Sequence, residues 1–338
     1  MVPSRAVATR APEGFRDILF AEAAALRGLE GRLAGLFTAR GYREVAPPTV
    51  EYLEALALGA GARAQEELYK FIDRHGYVLS LRADLTTPVA RLVATHFGPK
   101  GPALRLWYAG QAFRYEPVGR GRPHEFRQAG VELIGPPQPG ETPAADAEVV
   151  GLALAALEEA GLRGCTLALG HVGVLEGFWD GAGLREEQRE PLRQALARRD
   201  QVAYEEAVHS LGLAPATAAD LVALVREAPH EPSRHLESLA GRTHDRRALA
   251  SLEHLRGVLE RVSPPAAAGS LRVDLALIRD FGYYTGIVFE GFALGAGSPV
   301  LGGGRYDGLL EKFGASRPAV GFALTIDAVL AALERRPS

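Results

Sequence analysis

Cysteine is almost missing from this chain. Cys165 is its only representative, which excludes an intramolecular disulfide framework and a cysteine-rich zinc site. Asparagine is absent altogether, and lysine is reduced to Lys70, Lys100 and Lys312. A composition biased toward Ala, Arg, Gly and Pro accounts for both facts, so an arginine here carries less information than usual. Long apolar runs are also lacking. The one around Val149–Leu157 is too short for a bilayer, which needs ~20 residues. No apolar h-region follows the first residues, so no signal peptide is expected. Neither sign of charge dominates: 38 basic against 41 acidic residues give −3, leaving no global electrostatic footprint for nucleic acid. No HExxH or similar spacing supports a metal site. What is present is a 338-residue chain, 47% hydrophobic, with material for one large domain or two. A soluble, cytoplasmic protein is expected, without a membrane partner.

Periodicity then divides the chain. Leu26, Leu29, Leu33, Leu36 and Phe37 form one stripe of a helix over residues 18–40. Strands are expected at 69–73 and 77–82, joined as a hairpin, and at 104–109, 112–116, 125–134 and 166–170. Helices are expected at 53–58, 85–97 and 144–161. From residue 177 to about 263 only helical periodicity appears, which reads as an inserted helical segment. Strands return at 271–277, 283–292 and 319–324, and a helix over 326–335 follows. Hairpins rather than regular βαβ units indicate an antiparallel sheet. The fold class is therefore α+β, in three parts: residues 1–176, a helical insertion over 177–263, and residues 264–338 returning to the first part.

Three segments carry chemistry. In FRYEPVGRGRPHEFRQAGVE (113–132), alternation along a strand puts Gln128, Gly130 and Glu132 on one face and Ala129, Val131 and Leu133 on the other. The polar face is either a solvated sheet surface or a place for a small zwitterion, since arginine forks hold carboxylates and carboxylates accept from ammonium. LGGGRYDGL (301–309) is either a tight turn before a helix or a close backbone approach to a ligand. No Lys-Ser or Lys-Thr pair follows, so it is no P-loop. DFGYYTGIVFE (280–290) has paired tyrosines, of which one is expected in the core and one outside. The rest of a kinase signature is absent.

Together these segments resemble the histidyl-tRNA synthetase family of the class II synthetase fold. PEGFRDIL, GYREVAPPTVEYLEAL, LRADLTTPVAR, the 113–132 segment, LIRDFGYYTGIVFE, GGGRYDGL and PAVGFALTIDAV follow in the family's order over nearly the whole chain. The resemblance implies a histidine pocket. Asp84 stands where the family has a glutamate on the substrate ammonium, helped by Thr86 and Gln128. Glu132 and Tyr284 match groups on the imidazole, with Tyr283 alongside. Arg279 matches the arginine near the carboxylate. Arg114, Glu116 and Arg122 match groups that handle ATP, Arg114 facing the α-phosphate and bordering the histidine. The family's third motif ends in an arginine that stacks on adenine; here Thr325, Ile326, Asp327 and Ala328 occupy those places, and alanine offers neither plane nor charge. Ten residues follow Ala328, whereas an anticodon reader needs about 100 more. These departures are similar to those of the synthetase-like regulatory subunits of ATP phosphoribosyltransferase. That resemblance implies a non-catalytic chain without cofactor. Its expected partner is a short-form catalytic subunit, its expected state a homodimer within a hetero-oligomer, and its expected effector histidine. Arg114, Glu116 and Arg122 are then relics of a nucleotide site. An active histidyl-tRNA synthetase and a repurposed synthetase-like binding module are the alternatives.

Overall fold

The heptad-like stripe near the start forms α1 (Phe20–Ala39), with Leu26, Leu29, Leu33 and Phe37 buried. The computed structural model describes residues 9–59, 65–115, 123–135, 142–226, 232–262, 270–278 and 282–335. After α1 come β1 (Arg43–Glu44), β2 (Val50–Tyr52), α2 (Leu53–Gly59), β3 (Lys70–Ile72), β4 (Val78–Leu81) and α3 (Thr86–Phe97). Then follow β5 (Leu104–Phe113), β6 (Glu125–Ile134), α4 (Thr142–Glu159) and β7 (Thr166–His171). Six helices come next: α5 (Val172–Gly181), α6 (Glu186–Ala197), α7 (Gln201–Ser210), α8 (Pro215–Arg226), α9 (Pro232–Ala240) and α10 (Arg246–Arg261). The chain continues with β8 (Leu271–Val273), β9 (Ile287–Phe292), β10 (Leu301–Arg305), β11 (Ala319–Thr325) and α11 (Ile326–Glu334).

The main sheet has the order β1-β5-β6-β11-β10-β9-β7-β8. Only β1–β5 and β7–β8 pair in parallel. A small second sheet has the order β2-β4-β3. One face of the main sheet is apolar, and α1 and α4 pack on it. The architecture is thus the α+β arrangement read from the hairpins.

Several boundaries differ from the sequence reading. The two strands expected at 104–109 and 112–116 are one, because β5 pairs with β6 without a break from Leu104 to Phe113. The strand expected from 283 begins at Ile287. The glycine run is no turn. It is β10, paired on both sides, with Gly303 opposite Phe322 and Phe289. Helices run from Val172 to Arg261, so a limit drawn at residue 176 falls inside α5. Pro264, Pro265 and Gly269 lie outside the described residues.

A buried polar cluster fixes this helical stretch to the sheet. Asp146 on α4 has no exposed surface and accepts from Arg305 Nε at 3.0 Å and Nη2 at 2.5 Å. His254 on α10 meets the same carboxylate at 2.7 Å. The His171 ring, at the head of α5, stands edge-on to His254 at 5.3 Å. Burial and the neighbouring His254 push the His171 ring down to about 3, so it is neutral and accepts from the Gly173 N–H at 3.0 Å.

Candidate functional site

Alternation along β6 builds the site from the face opposite the core. Ala129, Val131 and Leu133 join the core, while Gln128 and Glu132 line a cavity of about 550 Å³. Residues opposite one another in a sheet share a face. Gly130 lies opposite Ala323, Ala323 opposite Gly302, and Gly302 opposite Glu290. From β6 to β10 this row carries nothing larger than a methyl group, and Glu290 on β9 ends it. Two glycines are required by close approach. A Cβ on Gly321 would sit 1.7 Å from Glu132 Oε2, and one on Gly304 would sit 2.7 Å from the Tyr284 ring. The polar face is not a solvated sheet surface: Gln128 is 7% exposed and Glu132 0%.

Glu132 is held between two phenols. The Tyr306 hydroxyl donates to Oε2 at 2.5 Å, and the Tyr108 hydroxyl to Oε1 at 3.2 Å. Burial pushes its carboxyl up to about 8, against the pull of those donors. Thr86 Oγ1 lies 3.5 Å from the Tyr108 hydroxyl. Asp84 precedes α3 and accepts from the Thr87 N–H at 2.7 Å and hydroxyl at 3.3 Å. Burial raises this carboxyl too, with the Thr87 N–H opposing. Gln128 Oε1 is buried in the cavity wall without a hydrogen-bond partner, so an unpaired acceptor faces the space where a donor belongs. Arg114 donates to the Ala83 carbonyl at 3.0 Å, and its guanidinium lies 5.1 Å from the Phe126 ring centre. Tyr283 and Tyr284 pack at 4.7 Å, and Tyr283 meets Tyr306 at 5.6 Å.

Seven of the residues singled out from the sequence thus line one cavity: Asp84, Thr86, Arg114, Gln128, Glu132, Tyr283 and Tyr284. Both tyrosines face it from the turn before β9, so neither is simply an outside residue. Arg279, Glu116 and Arg122 lie outside the described residues. Sequence reasoning missed Tyr108, Tyr306, Glu290 and Arg199. Tyr306 stands two places after the glycine run, with Arg305 between, and that spacing is a usable signal; Tyr108 and Arg199 carry none. Ala328 lines the same cavity. Of the other arginines there, Arg16 is paired with Glu22 and Arg199 with Glu290.

A mainly antiparallel sheet with a buried acidic cleft defines a class II synthetase-like fold, and Ala328 stands at its third-motif position. The sequence profile described as histidyl-tRNA synthetase matches residues 14–329. The ATP phosphoribosyltransferase regulatory subunit of Symbiobacterium thermophilum is 47% identical over 97% of this chain and 81% of its own. That of Moorella thermoacetica is 44% identical over 95% and 81%. A crystal structure from Bacillus halodurans, described as an ATP phosphoribosyltransferase regulatory subunit/histidyl-tRNA synthetase, superposes with a TM-score of 0.87 at 34% identity, covering 96% of this chain and 83% of that one. The chain belongs to the histidyl-tRNA synthetase family and, within it, to the ATP phosphoribosyltransferase regulatory subunits.

Proposed function

We propose that this chain serves the first step of histidine biosynthesis as a regulatory subunit, joined to a short-form ATP phosphoribosyltransferase catalytic subunit and conferring feedback inhibition by histidine. The observation that carries the effector reading is the acceptor set of the cavity: Glu132 between two phenols, with Gln128 Oε1 buried and unpaired beside it. That set suits a small ligand rich in N–H donors. Histidine brings an ammonium toward Asp84, Thr86 and Gln128 and a ring toward Glu132 and Tyr284. Its carboxylate is left to arginine, Arg279 by resemblance and Arg114 at the border. Activation of that carboxylate is not supported, because Ala328 replaces the adenine-stacking cation. Arg114, Glu116 and Arg122 are read as remnants of the nucleotide site. Inhibition follows only if histidine prefers one state of the assembly over another.

A homodimer is part of the proposal. Tyr52, Leu79 and Phe71 stand in register across β2, β4 and β3. Tyr52 and Phe71 are exposed. This apolar row begins in the segment similar to the family's first motif.

The test is titration of L-histidine into the chain, followed by inhibition assays of the complex reconstituted with the catalytic subunit. Glu132→Gln is expected to weaken histidine binding and inhibition by about tenfold or more, because the amide replaces one carboxyl oxygen with a donor-only nitrogen. A Glu132→Gln complex inhibited as before places the effector elsewhere. Sustained pyrophosphate exchange with ATP and histidine would instead restore the synthetase reading.

A further inference from the structure

Arg199 stands apart from the other residues around the cavity. It comes from the helical stretch, at the joint between α6 and α7, yet it lines the same cavity as Glu132 and Gln128. Its backbone has φ +56, and among the described residues only Phe20 is another non-glycine with positive φ. The Arg199 N–H bonds to the Leu196 carbonyl at 2.9 Å and the Asp200 N–H to the Ala195 carbonyl at 2.9 Å. That is the left-handed helix stop at which glycine is the usual residue. The stops after α1 and α5 place Gly41 and Gly183 at positive φ. An arginine here carries a backbone cost that glycine would not. Its side chain explains the choice of element less than the choice of target. The guanidinium pairs with Glu290, which is 8% exposed, and lies 5.1 Å from the Phe292 ring centre. The Arg199 side chain itself is 53% exposed, so its stem has room to move.

Distance along the floor matches a small amino acid. The Glu132 carboxylate leans over Gly321. Glu290 lies two strands across and two residues along from there. With strands about 4.8 Å apart and a rise of about 3.4 Å per residue, the separation is about 12 Å. A small amino acid hydrogen-bonded to Glu132 fits within that distance, with the Arg199 fork beyond its other end.

We propose that Arg199 is a specificity-determining residue that recognises the ligand's carboxylate, its fork passing from Glu290 to the ligand when the cavity fills. A guanidinium presents a planar pair of donors that either carboxylate can take. The exchange ties occupancy of the cavity to the α6–α7 joint, and so to the helical stretch. The inference rests on the reading of the cavity as a histidine site.

The test compares L-histidine with histamine, which keeps the ring and the ammonium but has no carboxylate. Binding of each is measured by calorimetry to the full chain and to its Arg199→Gly variant. Glycine suits the positive φ but loses the Glu290 ion pair, so melting curves are recorded for both chains and binding is compared below both transitions. Histidine is expected to bind the variant about tenfold more weakly, the effect of one charge-assisted fork. Histamine is expected to bind no more weakly, because it has no carboxylate to lose contact with Arg199 and the variant removes a positive charge from the cavity wall. Equal loss for both ligands, or loss for neither, overturns the role of Arg199 while leaving the histidine site standing. No binding of histidine by the unaltered chain removes the site and this proposal together.

Discussion

Glu132 is the residue on which the cleft turns. Its carboxyl is raised by burial to about 8, against an ordinary value near about 4.3. Between those values the folded chain holds a proton that the unfolded chain releases. The stability this residue lends is therefore full below about pH 4 and fades as pH rises through about 8. Glu132→Gln keeps the shape and cannot titrate. Melting curves from about pH 5 to about pH 9 are expected to fall less steeply for the variant than for the unaltered chain. Matching slopes would show that Glu132 is ionised in the free protein. At this scale the sequence was a good guide where local alternation decides. Gln128, Gly130 and Glu132 were assigned to one face correctly. It was a poor guide where partners come from afar, since the Tyr306 hydroxyl on Glu132 joins residues 174 apart. Arg199 depends on how a helical joint docks on β9, which no local pattern records.

Among the elements, the glycine strand is the instructive case. Glycine is disfavoured in strands for lack of a side chain to pack, so LGGGR suggests a turn. β10 holds because both neighbours hydrogen-bond to it and because side chains from elsewhere fill the space above its glycines. Its end is pinned by Arg305 in the grip of Asp146, and Tyr306 follows at once. Asp146→Asn would leave a buried guanidinium facing a neutral amide. The expected cost is about 3–5 kcal/mol, the usual result of breaking one side of a buried pair, read by urea denaturation. A loss below about 1 kcal/mol, the level of an exposed pair, would mean that Asp307, 2.9 Å from Arg305 Nη1, carries the charge alone. Continuous β5, expected as two strands, passes through Gly110, where the missing Cβ makes way for Arg82, whose Nη2 would lie 2.5 Å from one.

For the whole molecule, motif order made the fold legible, because each segment similar to the synthetase family falls where the sheet needs it. Assembly was legible only as a resemblance. The apolar row Tyr52–Leu79–Phe71 supplies a surface for it. Phe71 is 42% exposed, so Phe71→Glu is expected to leave the fold intact and to shift sedimentation from dimer to monomer. A Phe71→Glu chain that still sediments as a dimer would move the interface off this sheet.

The floor under the cleft has an evolutionary consequence. Its middle row is glycine and alanine, so discrimination resides in the side chains that flank it, Gln128 and Glu132 from β6 and Glu290 from β9. Any codon change that plants a branched residue in that row would act as a plug. Such a chain would keep its scaffold while the cavity closed, and on the proposed histidine reading its inhibition would be lost in a single step.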